Sequence, residues 1–442
     1  MIGKPALRTC LLLGAAMAAT GCSTLEDLNK CRSADPDTRI AGCSAVIQAS
    51  QGKNGNLYLI YNNRGTAYSR KGDHVRAIQD FNEAIHLNPN YADFYHNRGV
   101  DYSAQRDYDH AIQDLNDAIR LRPNYVDAYY DRGNAYGGRG IAYDSKNDYD
   151  HAIQDYNQAV RDYTEAIRLR PSYASAYYGR GLAYDSRGIE RDDRDDYDRA
   201  IQDYNETIRL SPNKAGAFIY RGLAYNHEGD YDRALQDFNE AVRLNPKDAV
   251  AYLGRGATYD HKGDYDRAIQ NFDEVIRLNP KDATAYAARG DTYLFQSNLA
   301  AAIPDFENAI SGAPTPRMAV STALMLHVAM KRQGRDDSRQ LARVAAAADL
   351  SKWPGPLLKF DMGKMTAGEV MAAAGNPGDD RQKWHVCQAN YLTGEDALLH
   401  NQRATALIRL KAARDGCPKW DTGYLAAQAE LKRLSAPAVP AK

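Results

Sequence analysis

The sequence predicts an all-α protein assembled from consecutive antiparallel helix pairs, and three observations carry that prediction. A short phrase returns at a fixed interval: Gly65, Gly99 and Gly133 stand 34 residues apart, as do Gly222, Gly256 and Gly290. A period of that length marks one supersecondary unit copied many times. Between these marks, apolar residues recur at steps of three and four on either side of a polar break. DFYHNRGVDYSAQRDYDHAIQDLNDAIRLRP therefore reads as two amphipathic helices. Prolines then punctuate the regular units at Pro89, Pro123, Pro246, Pro280 and Pro314, where the second helix has to stop.

Inside a unit the residue types follow from the packing. Each glycine follows an arginine and precedes a tyrosine by three residues (Tyr68, Tyr102, Tyr136, Tyr225, Tyr259, Tyr293), and twelve residues on comes Ala77, Ala111, Ala234, Ala268 or Ala302. Tyr95 and Tyr102 lie about two turns apart on one helix face. Gly99 between them has no side chain, so the partner helix can come close. Asp107 or its neighbour Asp109 is placed to cap the second helix. One such hairpin cannot bury its apolar face alone, so units must stack.

This pattern of small and aromatic positions resembles the tetratricopeptide repeat, over residues 58–316 and in seven units. The resemblance implies an α-solenoid, a right-handed superhelix of antiparallel helix pairs with a concave groove that holds a peptide or protein. By that geometry the first helices present Asn62, Thr66, Ser69, His96, Val100, Tyr130, Asn134, Tyr178, Leu182, Ile219, Leu223 and Leu253 to the groove, polar in the early units and apolar in the later ones. The subfamily that grips chaperone tails needs lysine and asparagine at two of these positions. Asn62 with Thr66, and His96 with Val100, do not supply them. One departure is consistent: where the family usually has leucine before the glycine, this chain has Arg64, Arg98, Arg132, Arg180, Arg221, Arg255 and Arg289.

Sixteen residues after that arginine stands Asp80, Asp114, Asp237, Asn271 or Asp305, with Asp203 displaced by an insertion. The expected arrangement is a structural ladder, Arg64, Arg98, Arg221 and Arg289 pairing with these carboxylates across each hairpin or between neighbours. Its recurrence in nearly every unit argues against a single catalytic site.

The period breaks in two successive units, by sevens. Gly133 and Gly181 are 48 residues apart, one period plus fourteen, because RGNAY is doubled as RGIAY and DYNQAV as DYTEAI. Seven residues are nearly two helical turns, about 10 Å of rise with about 20° of drift. Both arms of the unit at 126–173 should lengthen equally and project beyond their neighbours. A further seven in DSRGIERDDRDDYDRA enlarge the unit at 174–214 without a matching insertion in its second helix, which predicts a polar extension or loop there.

The ends of the chain say where it should work. Residues 1–21 read as an export signal, with Lys4 and Arg8 ahead of an apolar run from Thr9 to Thr20. ATGC resembles a bacterial lipobox, which implies a lipid on Cys22; Ala19 departs from the usual leucine, leaving simple cleavage near Ala18 as the alternative. Ser23 suggests, by the same resemblance, the outer membrane and a periplasmic body. Of the remaining cysteines, Cys31 with Cys43 and Cys387 with Cys417 form two local pairs suited to disulfides in an oxidising compartment. The first pair falls in the amino-terminal capping helices expected at 22–57. Residues 317–434 lose the consensus but stay helical, with a capping box at Thr366 and Glu369, and supply the degenerate carboxy-terminal cap. That stretch resembles, weakly, bacterial envelope lipoproteins of the NlpI type. Residues 435–442, SAPAVPAK, read as a disordered tail.

No catalytic or metal constellation emerges, and no cofactor motif. Histidines are scattered, GGRG at 137 follows a helix rather than a strand, and RDDRDD lacks the alternation of a calcium loop. With 56 basic and 57 acidic residues the chain has no overall field for nucleic acid. The expectation is a non-enzymatic scaffold of the cell envelope whose partner is an envelope protein or peptide. The alternative is a peptidoglycan- or saccharide-binding or wall-modifying role for the carboxy-terminal helices.

Overall fold

A computed structural model describes residues 25–50, 56–146, 148–191, 193–375, 380–419 and 421–435. The leader, Cys22 and residues 436–442 lie outside them. Among the described residues there are 23 helices and no strand. None of these helices is long and apolar enough to cross a membrane. The chain divides into two compact units, one up to Ala183 and one from Tyr184.

The first unit opens with α1 (Leu25–Lys30) and α2 (Pro36–Ser50). The Cys31–Cys43 disulfide, Cα–Cα 4.5 Å, joins the turn after α1 to the middle of α2. Antiparallel pairs follow: α3 (Leu57–Arg70) with α4 (His74–Leu87), α5 (Ala92–Ala104) with α6 (Tyr108–Leu121), and α7 (Val126–Asp144) with α8 (Tyr149–Leu169). Helix α9 (Ala174–Arg191) carries the boundary between the units. In the second unit come α10 (Arg194–Leu210), the pairs α11 (Ala215–Glu228) with α12 (Tyr231–Leu244), α13 (Ala249–His261) with α14 (Tyr265–Leu278), and α15 (Ala283–Phe295) with α16 (Leu299–Gly312). Seven further helices close the chain: α17 (Pro316–Arg332), α18 (Ser338–Ala346), α19 (Gly355–Asp361), α20 (Ala367–Ala374), α21 (Asp380–Leu399), α22 (Arg403–Gly416) and α23 (Thr422–Ser435). Ser435, placed in the tail by the sequence reading, is thus the last residue of a helix.

Local chemistry sets the boundaries. Asp73, Asp107, Asp148, Asp230, Asp264 and Asn298 cap the second helices, each side chain accepting from the backbone N–H three residues on. Of the two candidates in the second pair, the cap is Asp107 rather than Asp109. Thr366 and Glu369 form the expected capping box on α20. Gly229 and Gly263 take φ of +81° and +73° in the turn between paired helices, the left-handed region that glycine reaches without cost.

Each pair is drawn together at its glycine. A Cβ on Gly65 would stand 2.8 Å from Phe81, on Gly256 2.5 Å from Phe272 and on Gly290 2.8 Å from Phe306. Beside this contact the arginine ladder forms. Arg64 Nε and Nη2 donate to Asp80 at 2.9 and 2.7 Å, Arg98 to Asp114 at 2.7 and 2.6 Å, Arg221 to Asp237 at 2.8 and 2.6 Å, and Arg289 to Asp305 at 2.7 Å twice. Arg255 donates to Asn271 at 2.8 Å. The third nitrogen reaches the preceding pair: Arg98 Nη1 bonds Asn82 at 2.5 Å, Arg221 bonds Asn205 at 2.5 Å and Arg255 bonds Asn239 at 2.8 Å. One guanidinium therefore fastens both a hairpin and its neighbour, the two arrangements that the spacing left open.

The heptad insertions add rungs rather than loops. Helices α7 and α8 run for 19 and 21 residues, against 14 in α3 and α4. They hold two nested rungs, Arg132 on Asp162 and Arg139 on Asp155, with Gly133 against Tyr163 and Gly140 against Tyr156. Gly137 and Gly138 do not interrupt α7. In the next pair the seven extra residues are shared by both helices, α9 with 18 residues and α10 with 17. Arg187 bonds Asp196 at 2.7 and 2.5 Å, and Gly188 packs on Tyr197, so the expected polar stretch is mostly helix.

The carboxy-terminal helices are tied by charge as well as by a core. Arg332 of α17 donates to Glu395 of α21 and Glu430 of α23, both at 2.6 Å. Cys387 and Cys417 are joined, Cα–Cα 5.0 Å, linking α21 to the end of α22.

Burial holds the Asp237 carboxyl above its usual range even with Arg221 bonded to it, so its charge is tolerated only while the pair is intact. Arg221→Ala is expected to destabilise the protein by about 3 kcal/mol in urea unfolding, whereas the double variant Arg221→Met/Asp237→Leu should recover most of that loss. A single substitution within experimental error of wild type would show that the rung is not structural.

Candidate binding surface

Two positions of each first helix, three residues before the glycine and one after it, account for nearly all the expected groove residues. Asn62, His96, Tyr130, Tyr178 and Ile219 occupy the first position, and Thr66, Asn134, Leu182 and Leu223 the second. Successive helices bond to each other along this row. Asn62 accepts from Asn97 at 2.9 Å, and His96 Nε2 meets Asp131 at 2.8 Å while its ring lies 4.8 Å from that of Tyr125. Tyr130 packs on Tyr163 and Tyr173, and Asn134 accepts from the Tyr163 hydroxyl at 2.8 Å. Thr66 turns its hydroxyl onto the Asn63 carbonyl. Tyr178, Leu182 and Leu223 are half-buried, and Asn134 is exposed. Ile219 does not belong with them: it is 3 % exposed and packs in the core with Ile201 and Phe238, because α11 turns that face inward.

A second polar row runs between first helices. The residue four after the glycine bonds the residue two after the glycine of the next pair: Asn226 with Thr258 at 2.9 Å and Asp260 with Thr292 at 2.8 Å. Where the second of these residues is alanine, the first is stranded. Ser103 Oγ is buried without a partner, its counterpart being Ala135. In the second unit Asp185 Oδ1 is stranded likewise, its counterpart being Ala224. Burial alone pushes the Asp185 carboxyl up to about 7.

The same two-position register continues into the last pair, at Ala287 and Asp291, which the sequence reading did not follow past Leu253. There it meets the carboxy-terminal helices. A cavity of about 280 Å³ is lined by Ala287 and Asp291 of α15, Met318, Ser321 and Met325 of α17, Trp384, Gln388 and Tyr391 of α21, and Asp421 and Thr422 at the start of α23. Asp421 accepts from Trp384 Nε1 at 2.5 Å and from the Gly423 amide at 2.7 Å. Asp291 Oδ1 is buried and has no partner. Burial, with Asp260 and Asp421 nearby, pushes the Asp291 carboxyl well above its usual range. The Cys387 and Cys417 sulfurs stand close to Asp421, but each is spent in the bond to the other and offers no thiolate to a metal.

Sequence profiles described as Tetratricopeptide repeat match residues 58–91, 126–161, 186–249, 225–291 and 283–315, and one described as TPR repeat matches 101–140 and 151–188. Together they span more than half of the chain.

The chain belongs to the tetratricopeptide repeat family.

No curated protein matches it. Among solved structures, a tetratricopeptide repeat protein from Parabacteroides merdae ATCC 43184 is 21 % identical, with 62 % of this chain and 98 % of that one covered at a TM-score of 0.47. The MamA protein is 29 % identical over 44 % of this chain and 94 % of its own, at 0.36. YrrB, described as a TPR protein with an unusual peptide-binding site, is 23 % identical over 47 % of this chain and 97 % of its own, at 0.34.

Asp185 gives the repeat a definite pH response. Its folded carboxyl keeps a proton up to about pH 7, whereas an unfolded one loses it near 3.8, so this residue contributes full stability only below the lower value and the contribution is lost as pH rises to 7. Asp185→Asn should therefore gain stability over wild type at pH 8, by at most roughly 4 kcal/mol, and much less at pH 4.5. Equal gains at both pH values in thermal unfolding would refute the assignment.

Proposed function

We propose that this protein is a non-enzymatic adaptor of the bacterial cell envelope, holding a peptide or an extended protein segment against the first helices of its repeat. The family as a whole consists of protein-interaction scaffolds. The observation that carries the reading is the end of the groove register, where Ala287 and Asp291 open into a shaped cavity instead of being packed shut. The half-buried side chains of Tyr130, Leu182 and Leu223 keep part of their apolar surface open, which supplies the contact that a bound segment needs.

The envelope assignment rests on the leader, on the lipobox-like ATGC and on two disulfides, which persist in oxidising compartments. Lipid attached through Cys22 would hold the protein at the outer membrane with its repeats in the periplasm. If several acyl chains are attached, at about 0.8 kcal/mol per buried methylene, the anchor is effectively permanent.

Crosslinking in intact envelopes followed by affinity capture should recover a discrete envelope protein with wild type and much less with Tyr130→Ala/Leu182→Asp. Recovery that does not depend on these residues would remove the groove from the account. Separately, Cys22→Ser should abolish labelling by radioactive palmitate and move the protein from the membrane to the soluble periplasmic fraction. An unlabelled wild type that is already soluble would discard the anchor and leave the adaptor role standing.

A further inference from the structure

The cavity at the end of the groove register has a chemistry of its own. Two carboxyl groups, Asp291 and Asp421, face into a partly open cavity of about 280 Å³, and neither forms an ion pair with any described residue. Asp421 at least receives two N–H donors, from Trp384 and Gly423. Asp291 receives none. It projects from α15, next to Gly290, and offers a buried oxygen to the cavity. An acid placed so is costly to retain unless a cation or a donor meets it. The rest of the lining matches a cation on an aliphatic stem. The Trp384 and Tyr391 rings line the cavity, as do Phe306, Met325, Leu357 and Leu392, while Ser321 and Gln388 add polar atoms. Arg317 lies over the Trp384 ring at 5.2 Å, so a cation already rests on that aromatic surface.

We propose that this cavity binds a primary ammonium or guanidinium group on a short aliphatic stem, the cation on Asp291 and the stem between the aromatic and aliphatic walls. Size points the same way. Pockets for drug-sized ligands run to about 300–1,000 Å³, and this one is at or below the lower limit, room for a single lysine- or arginine-like side chain. An anion would meet two acidic side chains, and no basic residue lines the cavity. A neutral apolar guest would leave the Asp291 oxygen stranded.

The cation has two possible sources, a side chain of a segment lying in the groove or a free small amine. Only the first rests on the adaptor reading. Calorimetric titration of the full-length protein with n-butylammonium, agmatine and a short end-blocked alanine peptide carrying one central lysine tests both. The controls are n-butanol and the same peptide with norleucine in place of the lysine. Saturable one-to-one binding of at least one cationic probe is expected, weakened about tenfold or more by Asp291→Asn, the loss typical of a charge-assisted hydrogen bond. Ala287→Leu, which fills the cavity and leaves the acid, should weaken it as well. Asp336→Asn, on the exposed turn before α18, should change nothing. Preserved melting temperatures of both cavity variants would separate lost binding from lost fold. Binding of the peptide alone assigns the site to a partner's side chain, and binding of the free amines alone upholds the cavity while removing its link to the groove. No cationic binding, equal binding of the neutral controls, or full affinity in Asp291→Asn would overturn the proposal.

Discussion

An arginine–glycine step on one helix faces a polar–apolar step on its partner, in most pairs an aspartate followed by an aromatic residue, and the spacing of the pairs depends on that contact. The ring needs the glycine: a side-chain carbon on Gly256 or Gly290 would fall 2.5 or 2.8 Å from a phenylalanine ring, closer than atoms can stand. Glycine inside a helix costs about 1 kcal/mol relative to alanine, and the close approach is what offsets it. With the backbones that near, the adjacent arginine reaches the carboxylate with two nitrogens and keeps a third for the preceding pair. The aspartates are nearly buried, so the charges gain little as free stabilisation. Their effect is directional, because a helix slipped by one residue would bury an aspartate without its partner.

The same contact explains how the chain tolerates insertions of seven. In α7 and α8 the residue numbers of bonded partners sum to one constant, 132 with 162 and 139 with 155, so lengthening both arms preserves their register. Seven residues bring the next arginine–glycine step to nearly the same azimuth, and the whole contact is built again one rung along. In α9 and α10 the inner rung sits at the very start of α10, where Asp196 follows the Asp193 cap, and the extension is accordingly helix almost to the turn.

Polar residues on the first helices fare differently, and that difference separates structure from candidate function. Asn226 finds Thr258, and Asp260 finds Thr292 with one oxygen while its other stays unanswered; Ser103, Asp185 and Asp291 each leave a buried atom unanswered with no such bond across the row. For Ser103 and Asp185 the cause is an alanine in the answering position. For Asp291 it is open space, and that is why only this one invites a ligand.

How much of this was legible in the sequence follows from what each feature requires. Period, helix pairing, caps at Asp107 and Thr366, the two cysteine pairs and the partners of Arg64, Arg98, Arg221 and Arg289 are set by residues at most about thirty positions apart, and short-range spacing on helices of known pitch specifies them. The third bond of each arginine was not legible, because it depends on how one pair settles on another. Nor was the inward turn of Ile219, which only its packing against Ile201 and Phe238 decides. The cavity stood furthest from view. It brings Asp291 against Asp421 and Trp384, residues about a hundred positions apart with no shared period, and such a meeting is settled by tertiary packing alone.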